Sequence, residues 1–224
     1  MGKDGIAAVN LGLPIIYLYL GVGLMVSVGG MAIAQNAMGA GKREICNQVF
    51  MQTIVTAMVF SAVVSGVMVC CFEPILSVLR ADGEVKAYFQ GYYRIMLLQL
   101  PVMVLNSTFG MFIRGDGNPQ YYMKVSMGNV LLNIFLDWLF VDRLGAGVEG
   151  IALASLLSTL ICLGPVLYYF MKKARTYRFC AFRFSGKVCL RSVLNGSSEF
   201  IGEMSTGIAM FAYNFVIMRK IGAD

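Results

Sequence analysis

The sequence predicts an all-α integral membrane protein with about six transmembrane helices. Hydrophobic residues make up 58% of the 224 residues and charged residues only 13%, whereas a soluble domain carries about 25% charged residues. The charged residues lie in short segments that separate long apolar runs. Each run is long enough to cross roughly 30 Å of hydrocarbon at about 1.5 Å per helical residue.

The first predicted span lies within residues 6–41, which contain no charged side chain. Pro14 suits the first turn of a helix, since the N–H that proline lacks would have no partner there. Farther along, small residues recur at helical spacing, at Gly23, Ser27, Gly30 and Ala34. A stripe of small residues lets two helices approach closely in lipid, so we expect this face to pack against neighbouring spans.

Four further spans are predicted before the chain becomes strongly basic. In the third of the five, Pro101 predicts a kink or at least a lost backbone hydrogen bond, because proline has no N–H. Together the five spans form a predicted region over residues 1–171. We place them at about 12–36, 48–72, 89–113, 121–141 and 151–171.

A basic segment follows at 172–192, with seven Lys or Arg residues and no acidic residue. Basic loops remain on the cytoplasmic side of a membrane, so this segment is predicted to be a cytoplasmic connector and not a nucleic-acid-binding face. The loops after the first and third spans are also basic, at Lys42, Arg43 and Arg114. The last region, 193–224, contains the sixth predicted span.

Several classes of activity are excluded or unsupported. The chain has no histidine, which removes histidine-based catalytic triads and histidine metal sites. The segment Gly145–Gly150 fits G-x-G-x-x-G by letters, but it lacks the βαβ context that dinucleotide binding requires. No C-x-x-C pair is present among the six cysteines. The sequence therefore predicts a protein that is not an enzyme and has no metal or organic cofactor.

The fourth predicted span contains an unusual polar face. Asn129, Asn133 and Asp137 lie four residues apart, so they share one side of a helix. A charge near the membrane centre costs at least ~2.5–3.5 kcal/mol, and such residues usually face a bundle interior or a water-filled cavity. Two interpretations remain open, a satisfied contact between helices near the membrane boundary and an ion- or proton-responsive site.

Other polar residues could join this face in a substrate cavity. Gln99 lies in the third span, and Glu199 and Glu203 are four residues apart in the sixth. We predict a possible cavity lined by Asn129, Gln99, Glu199 and Glu203. The alternative for the two glutamates is an interfacial helix start, where carboxylates favour the positive end of the helix dipole.

Four motifs in a fixed order carry a resemblance to a known family. These are Ala37–Lys42, Arg114–Asn118, the Asn133/Asp137 pair, and Gly147–Ser155. The ordered set resembles multidrug and toxic compound extrusion (MATE) transporters of the multidrug/oligosaccharidyl-lipid/polysaccharide flippase superfamily, and it covers essentially the whole chain.

The resemblance implies a fold of twelve helices in two lobes, with a central cleft and alternating access. The spans here would be helices two to seven. Residues 1–171 would be an N-terminal lobe lacking helix one, and 193–224 a truncated first helix of the C-terminal lobe. The chain is therefore expected to be a fragment in a bacterial plasma (inner) membrane. Expected partners are the bilayer, small organic cations and the remainder of the transporter, but not nucleic acid.

The resemblance also implies a function and a site. Family members export cationic or amphipathic drugs and toxic compounds in exchange for H⁺ or Na⁺. A cation or proton site would use Asp137 and Asn133, with Ser155 where threonine is usual, and Na⁺ could bind at Asp137. Glu199 and Glu203 do not align cleanly with a glutamate of the family's seventh helix.

Two alternatives to the antiporter remain open. The chain could be a lipid-linked saccharide flippase of the same superfamily, which would need basic side chains inside the spans to move an anionic head group. It could also be an inactive fragment or a structural membrane subunit, in which the Asn133/Asp137 face packs against another helix.

Overall fold

The computed structural model confirms the all-α class. It describes the backbone of residues 3–70 and 83–221, and side chains over 16–70 and 90–210. Within these residues the chain forms seven α-helices and one π-helix, and no strand. The elements are α1 (Lys3–Gly39), α2 (Arg43–Cys70), α3 (Gly83–Gly115), α4 (Pro119–Asp137), the π-helix (Trp138–Arg143), α5 (Gly147–Lys172), α6 (Gly186–Asn195) and α7 (Ser197–Ile221).

Five of the described helical segments are long and apolar enough to cross a membrane. Each overlaps one of the five spans predicted before the basic segment. They are Ile16–Gly39, Arg43–Cys70, Gln90–Gly115, Pro119–Arg143 and Gly147–Lys172. The predicted sixth span overlaps α7, whose side chains beyond 210 lie largely outside the described residues, so this span stays a prediction.

Short turns connect the antiparallel helices. Gly41 and Gly117 adopt φ angles of 74° and 83°, which glycine reaches at no steric cost. These turns place the ends of α1, α3 and α5 and the starts of α2 and α4 at one end of the bundle, here called the connector end because the basic segment lies there. Pro101 lies inside α3, and the helix continues past it.

The small-residue stripe of α1 is in close contact with three neighbours. A Cβ atom added to Gly23 would lie 2.6 Å from a methyl carbon of Val104 on α3, and one added to Gly30 would overlap Thr53 on α2. A Cβ on Gly29 would overlap the backbone oxygen of Ser192 on α6. Contacts this close need glycine, so the stripe makes α1 the central helix of the bundle, as expected of small residues in lipid.

The basic segment differs from the predicted simple connector. Residues 174–185 are irregular, but the ten-residue helix α6 follows and ends at Asn195. The break before the next helix is at Gly196, where a Cβ atom would overlap the backbone oxygen of Met25 on α1. The helix break thus lies about three residues beyond the predicted domain boundary at 192/193, which stays a prediction, and the close approach to α1 fixes the break at this glycine.

The helix α4 is attached to the bundle along one side only. None of its residues in Pro119–Asp137 is buried, and its main neighbour is α5. The phenol of Tyr121 donates a hydrogen bond of 2.8 Å to the backbone oxygen of Pro165 on α5. Since α4 approaches α3 less closely than α5, a space remains between these three helices.

Candidate functional site

A cavity of about 230 Å³ lies between α3, α4 and α5. Its lining is predominantly polar, although five spans of this chain are apolar overall. No lining residue among the described side chains is charged. The lining residues are Gln99, Met103, Asn106, Ser107, Tyr122, Asn129, Val130, Asn133, Ser155, Ser158 and Thr159.

One hydrogen bond joins two of the predicted site residues across this cavity. The Asn133 Nδ2 donates to the Ser155 Oγ at 3.2 Å, which links α4 to α5. The Ser155 backbone oxygen accepts hydrogen bonds from the hydroxyls of Ser158 and Thr159, at 3.1 and 2.7 Å. The structure thus places Asn133 and Ser155 together, as the resemblance implied, and Gln99 and Asn129 line the same cavity.

Three buried oxygens near the cavity have no hydrogen-bond partner among the described residues. They are the side-chain oxygens Oδ1 of Asn106, Asn129 and Asp137. Asn106 is 8% exposed, and it lines the cavity with Asn129. A buried acceptor without a donor costs about 1–3 kcal/mol. All three are acceptors, so a donor group or a cation from outside the described residues would complete them.

Asp137 lies one helical turn beyond Asn133, a rise of about 6 Å, and it does not line the cavity. The π-helix begins at the next residue, Trp138. Its wider turn is marked by the backbone hydrogen bond from Leu144 N to Leu139 O at 3.1 Å. Single π turns inside helices occur often at functional sites. This element could not be predicted, because no residue type in 138–143 signals a π turn.

The two glutamates lie outside this site. Glu199 is exposed, and Glu203 is half-buried on α7. The Glu203 Cβ would lie 3.3 Å from a Cβ added to Gly21 on α1. Neither residue lines the cavity that contains Gln99 and Asn129. Since α7 packs mainly against α1, the described residues do not bring Glu199 and Glu203 together with Gln99 and Asn129, and their common cavity stays a prediction.

A second, open groove of about 690 Å³ lies along the outer side of α4. Tyr122 and Val130 border both spaces. Arg114 lines this groove, and its guanidinium lies 5.2 Å from the centre of the Tyr122 ring. Arg114 therefore faces the outer groove and does not line the cavity.

Asp116, which was not predicted as a functional residue, joins α5 and the basic segment through its carboxylate. It is 8% exposed, and its carboxylate accepts hydrogen bonds from the Tyr169 hydroxyl at 2.7 Å and from the backbone N–H groups of Arg175 and Thr176 at 2.9 and 2.8 Å. In the sequence, Arg114–Asn118 is recognisable only as part of a family motif. No sequence signal identified the role of Asp116, because two of its three partners are backbone N–H groups about 60 residues away.

Comparisons with known proteins agree with this architecture. A family model described as MatE matches residues 1–139. The multidrug export protein MepA of Staphylococcus saprophyticus subsp. saprophyticus is 27% identical over 169 residues, which are 75% of this chain and 38% of that protein. MepA of Staphylococcus aureus has the same identity and coverage. The chain thus spans well under half the length of these relatives.

Solved structures give the same result for nearly the whole chain. A multidrug resistance MATE family transporter of the MOP superfamily matches in its inward-facing conformation with a TM-score of 0.89 and 25% identity, covering 97% of this chain and 50% of that one. Its outward-facing conformation matches with a TM-score of 0.88, 25% identity, and coverage of 97% and 49%. A MOP superfamily transporter from Pyrococcus furiosus matches with a TM-score of 0.86, 25% identity, and coverage of 99% and 50%.

Proposed function

Because this chain belongs to the MatE family, whose members are transporters and not enzymes, we propose that it acts in a secondary antiporter that exports cationic or amphipathic compounds in exchange for H⁺ or Na⁺. The observation that carries this proposal is the polar cavity between α3, α4 and α5, with its unpaired acceptors. Relatives described as multidrug export proteins support the substrate class.

The cavity suits a positively charged or hydrogen-donating ligand. Carboxamide and hydroxyl oxygens are ligands for hard cations, and two unpaired carboxamide oxygens, of Asn106 and Asn129, belong to the lining. Asp137 supplies the negative charge one turn away. In our proposal the coupling ion binds between Asp137, Asn133 and Ser155, and the organic cation occupies the adjacent cavity toward Gln99.

The same lining argues against the flippase alternative. A transporter for an anionic head group needs basic side chains in its pathway, yet none of the residues that line the cavity is basic. Arg114 lies on the other side of Tyr122 in the outer groove. The structural-subunit alternative predicts a packed Asn133/Asp137 face, whereas the Asp137 Oδ1 has no partner in the described chain.

Transport by this proposal uses alternating access. A relative of the same architecture has been solved in inward-facing and outward-facing conformations, which supports a similar cycle here. We further propose that the connector end faces the cytoplasm of a bacterial cell, since basic segments remain on that side of the plasma membrane.

The test is gradient-driven export by the full-length transporter in membrane vesicles, with Asp137→Asn and the matched control Asp142→Asn. Asp142 is exposed and lies five residues farther along the same span. Asp137→Asn should abolish the dependence of export on a pH or Na⁺ gradient, because the amide cannot exchange a proton for a cation. Asp142→Asn should retain it. Unchanged gradient dependence in Asp137→Asn would refute the coupling role.

A further inference from the structure

The basic segment is held to the bundle by the buried ring of Tyr177 and by hydrogen bonds of its main chain. Three side chains of the bundle, Asn47, Gln52 and Asp116, form these hydrogen bonds. Asn47 Oδ1 accepts from Arg178 N at 3.0 Å, and Asp116 accepts from Arg175 N and Thr176 N. Gln52 donates to Ser185 O at 2.8 Å and accepts from Ser185 N at 3.1 Å. Since the contacts use backbone groups, the basic side chains are left outside.

The helix α6 has one face packed against the bundle and an opposite face that is exposed. Ser192 is buried and contacts α1 at Gly29. On the opposite face Leu190 and Leu194 are 61% and 62% exposed, and Lys187 and Arg191 are also exposed. Both pairs are spaced by four residues, so two leucines and two cations form adjacent rows on the outward side.

The residues just before α6 extend the same surface. Phe184 is 68% exposed, and its neighbour Arg183 is exposed as well. No acidic residue occurs anywhere in 172–198. We define the basic–apolar surface by six side chains that alternate cations with large apolar groups. They are Arg183, Phe184, Lys187, Leu190, Arg191 and Leu194.

We propose that the basic–apolar surface binds the anionic headgroup region of a lipid bilayer. Its cations would contact lipid phosphates, and Phe184, Leu190 and Leu194 would enter the boundary between headgroups and acyl chains. Amphipathic helices with Lys or Arg beside Leu and Phe lie in this interfacial plane. A nucleic acid or an acidic peptide would use the cations but leave the leucines in water.

The position of α6 in the fold also supports lipid as the partner of this surface. Five spans of the same chain place a bilayer beside α6, and the backbone contacts at Ser185 and Ser192 fix the orientation of the surface before any lipid binds. The three cations then act together, because each basic residue near an anionic membrane surface strengthens binding about fivefold. The surface therefore binds lipid in an orientation that the fold fixes in advance. Its basic residues do more than keep this segment on the cytoplasmic side of the membrane.

The test compares lipid retention by the purified full chain after extraction from bilayers that mix phosphatidylglycerol with phosphatidylcholine. The charge variant is Arg183→Gln/Lys187→Gln/Arg191→Gln. The matched control, Lys42→Gln/Arg94→Gln/Lys124→Gln, removes three exposed cations elsewhere. The charge variant should lose at least about tenfold in the enrichment of phosphatidylglycerol, and the control less than twofold. Equal losses in the two variants would overturn the proposal.

A second variant, Phe184→Ser/Leu190→Ser/Leu194→Ser, tests the apolar half of the surface. All three residues are exposed, so the fold should remain, as an unchanged unfolding temperature would verify. This variant should retain less of both lipids. Inorganic phosphate and a short single-stranded RNA should not displace phosphatidylglycerol from the wild-type chain. Displacement by either competitor would show that the surface binds free anions or nucleic acid and would refute the proposal. Unchanged retention in the serine variant would show that the apolar side chains do not contact lipid and would refute it as well.

Discussion

Buried polar groups occur both at the connector end and in the cavity. The two regions differ in whether these groups have hydrogen-bond partners. At the connector end Asp116 and Gln52 are bonded through both of their polar side-chain atoms. In the cavity region Asn106, Asn129 and Asp137 each bury an oxygen without a partner. Polar groups that the protein satisfies stabilise its fold, whereas unsatisfied acceptors are useful where water, an ion or a substrate completes them.

The largest expected effect is a difference in stability between Asp116→Ala and Asp137→Ala. Removal of the Asp116 carboxylate leaves two backbone N–H groups and a phenol unpaired, at a cost of roughly 3–5 kcal/mol. We expect the unfolding temperature in detergent to fall by ~10 °C. Asp137→Ala should change it by less than about 3 °C. Comparable losses in both variants would remove the distinction between the two regions.

Gln52→Leu is expected to have the next largest effect. It removes both hydrogen bonds to Ser185, worth about 1 kcal/mol each, and leaves the two backbone groups of Ser185 unpaired. The irregular segment 174–185 should loosen, so trypsin should cleave at Arg178 and Arg183 several times faster. The control is Gln120→Leu, which changes an exposed glutamine. Cleavage at the wild-type rate in Gln52→Leu would contradict the anchoring role.

A smaller effect on stability is expected from Asn106→Leu in the cavity. The substitution removes an acceptor that has no partner, so the unfolding temperature should stay the same or rise slightly. Binding of a fluorescent organic cation should weaken, by about tenfold if one ligand contact is lost. Strong destabilisation with unchanged binding would mean that Asn106 serves the fold and not a ligand.

The smallest expected effect concerns Tyr177 at the connector end. Burial raises the pKa of this phenol, and the nearby Cys46 and Asp116 raise it further. The unfolded chain therefore releases the proton first, and the stability contributed by Tyr177 is complete below a pH of about 10 and lost above it. Tyr177→Phe should reduce the alkaline fall in unfolding temperature more than the exposed control Tyr168→Phe. Equal effects of the two substitutions would contradict this account.

The fold was predictable because its signals are local. Long uncharged runs predict membrane helices, and the stripe from Gly23 to Ala34 predicts close contacts around α1. The break at Gly196 was not predictable in this way. It depends on the approach of α1 at Met25, about 170 residues earlier in the chain, and no local pattern encodes such a distant contact.

The site was predictable in part. The spacing of Asn129, Asn133 and Asp137 placed them on one helix face, and the resemblance to a family paired Asn133 with Ser155. Asn106 was not identified as a site residue, because a single asparagine in an apolar span has no periodic pattern. The glutamates of α7 were grouped with the cavity because sequence spacing cannot show which neighbour a helix packs against.

The central claim is that the site around Asp137 binds an inward-moving ion and releases it when an organic cation binds in the adjacent cavity. The most direct measurement follows H⁺ and Na⁺ released from the purified chain when a small organic cation binds, using a pH indicator and radioactive sodium. The wild-type chain and Asp142→Asn should each release one of these ions, and Asp137→Asn should release neither. Release at the wild-type level from Asp137→Asn would contradict the claim.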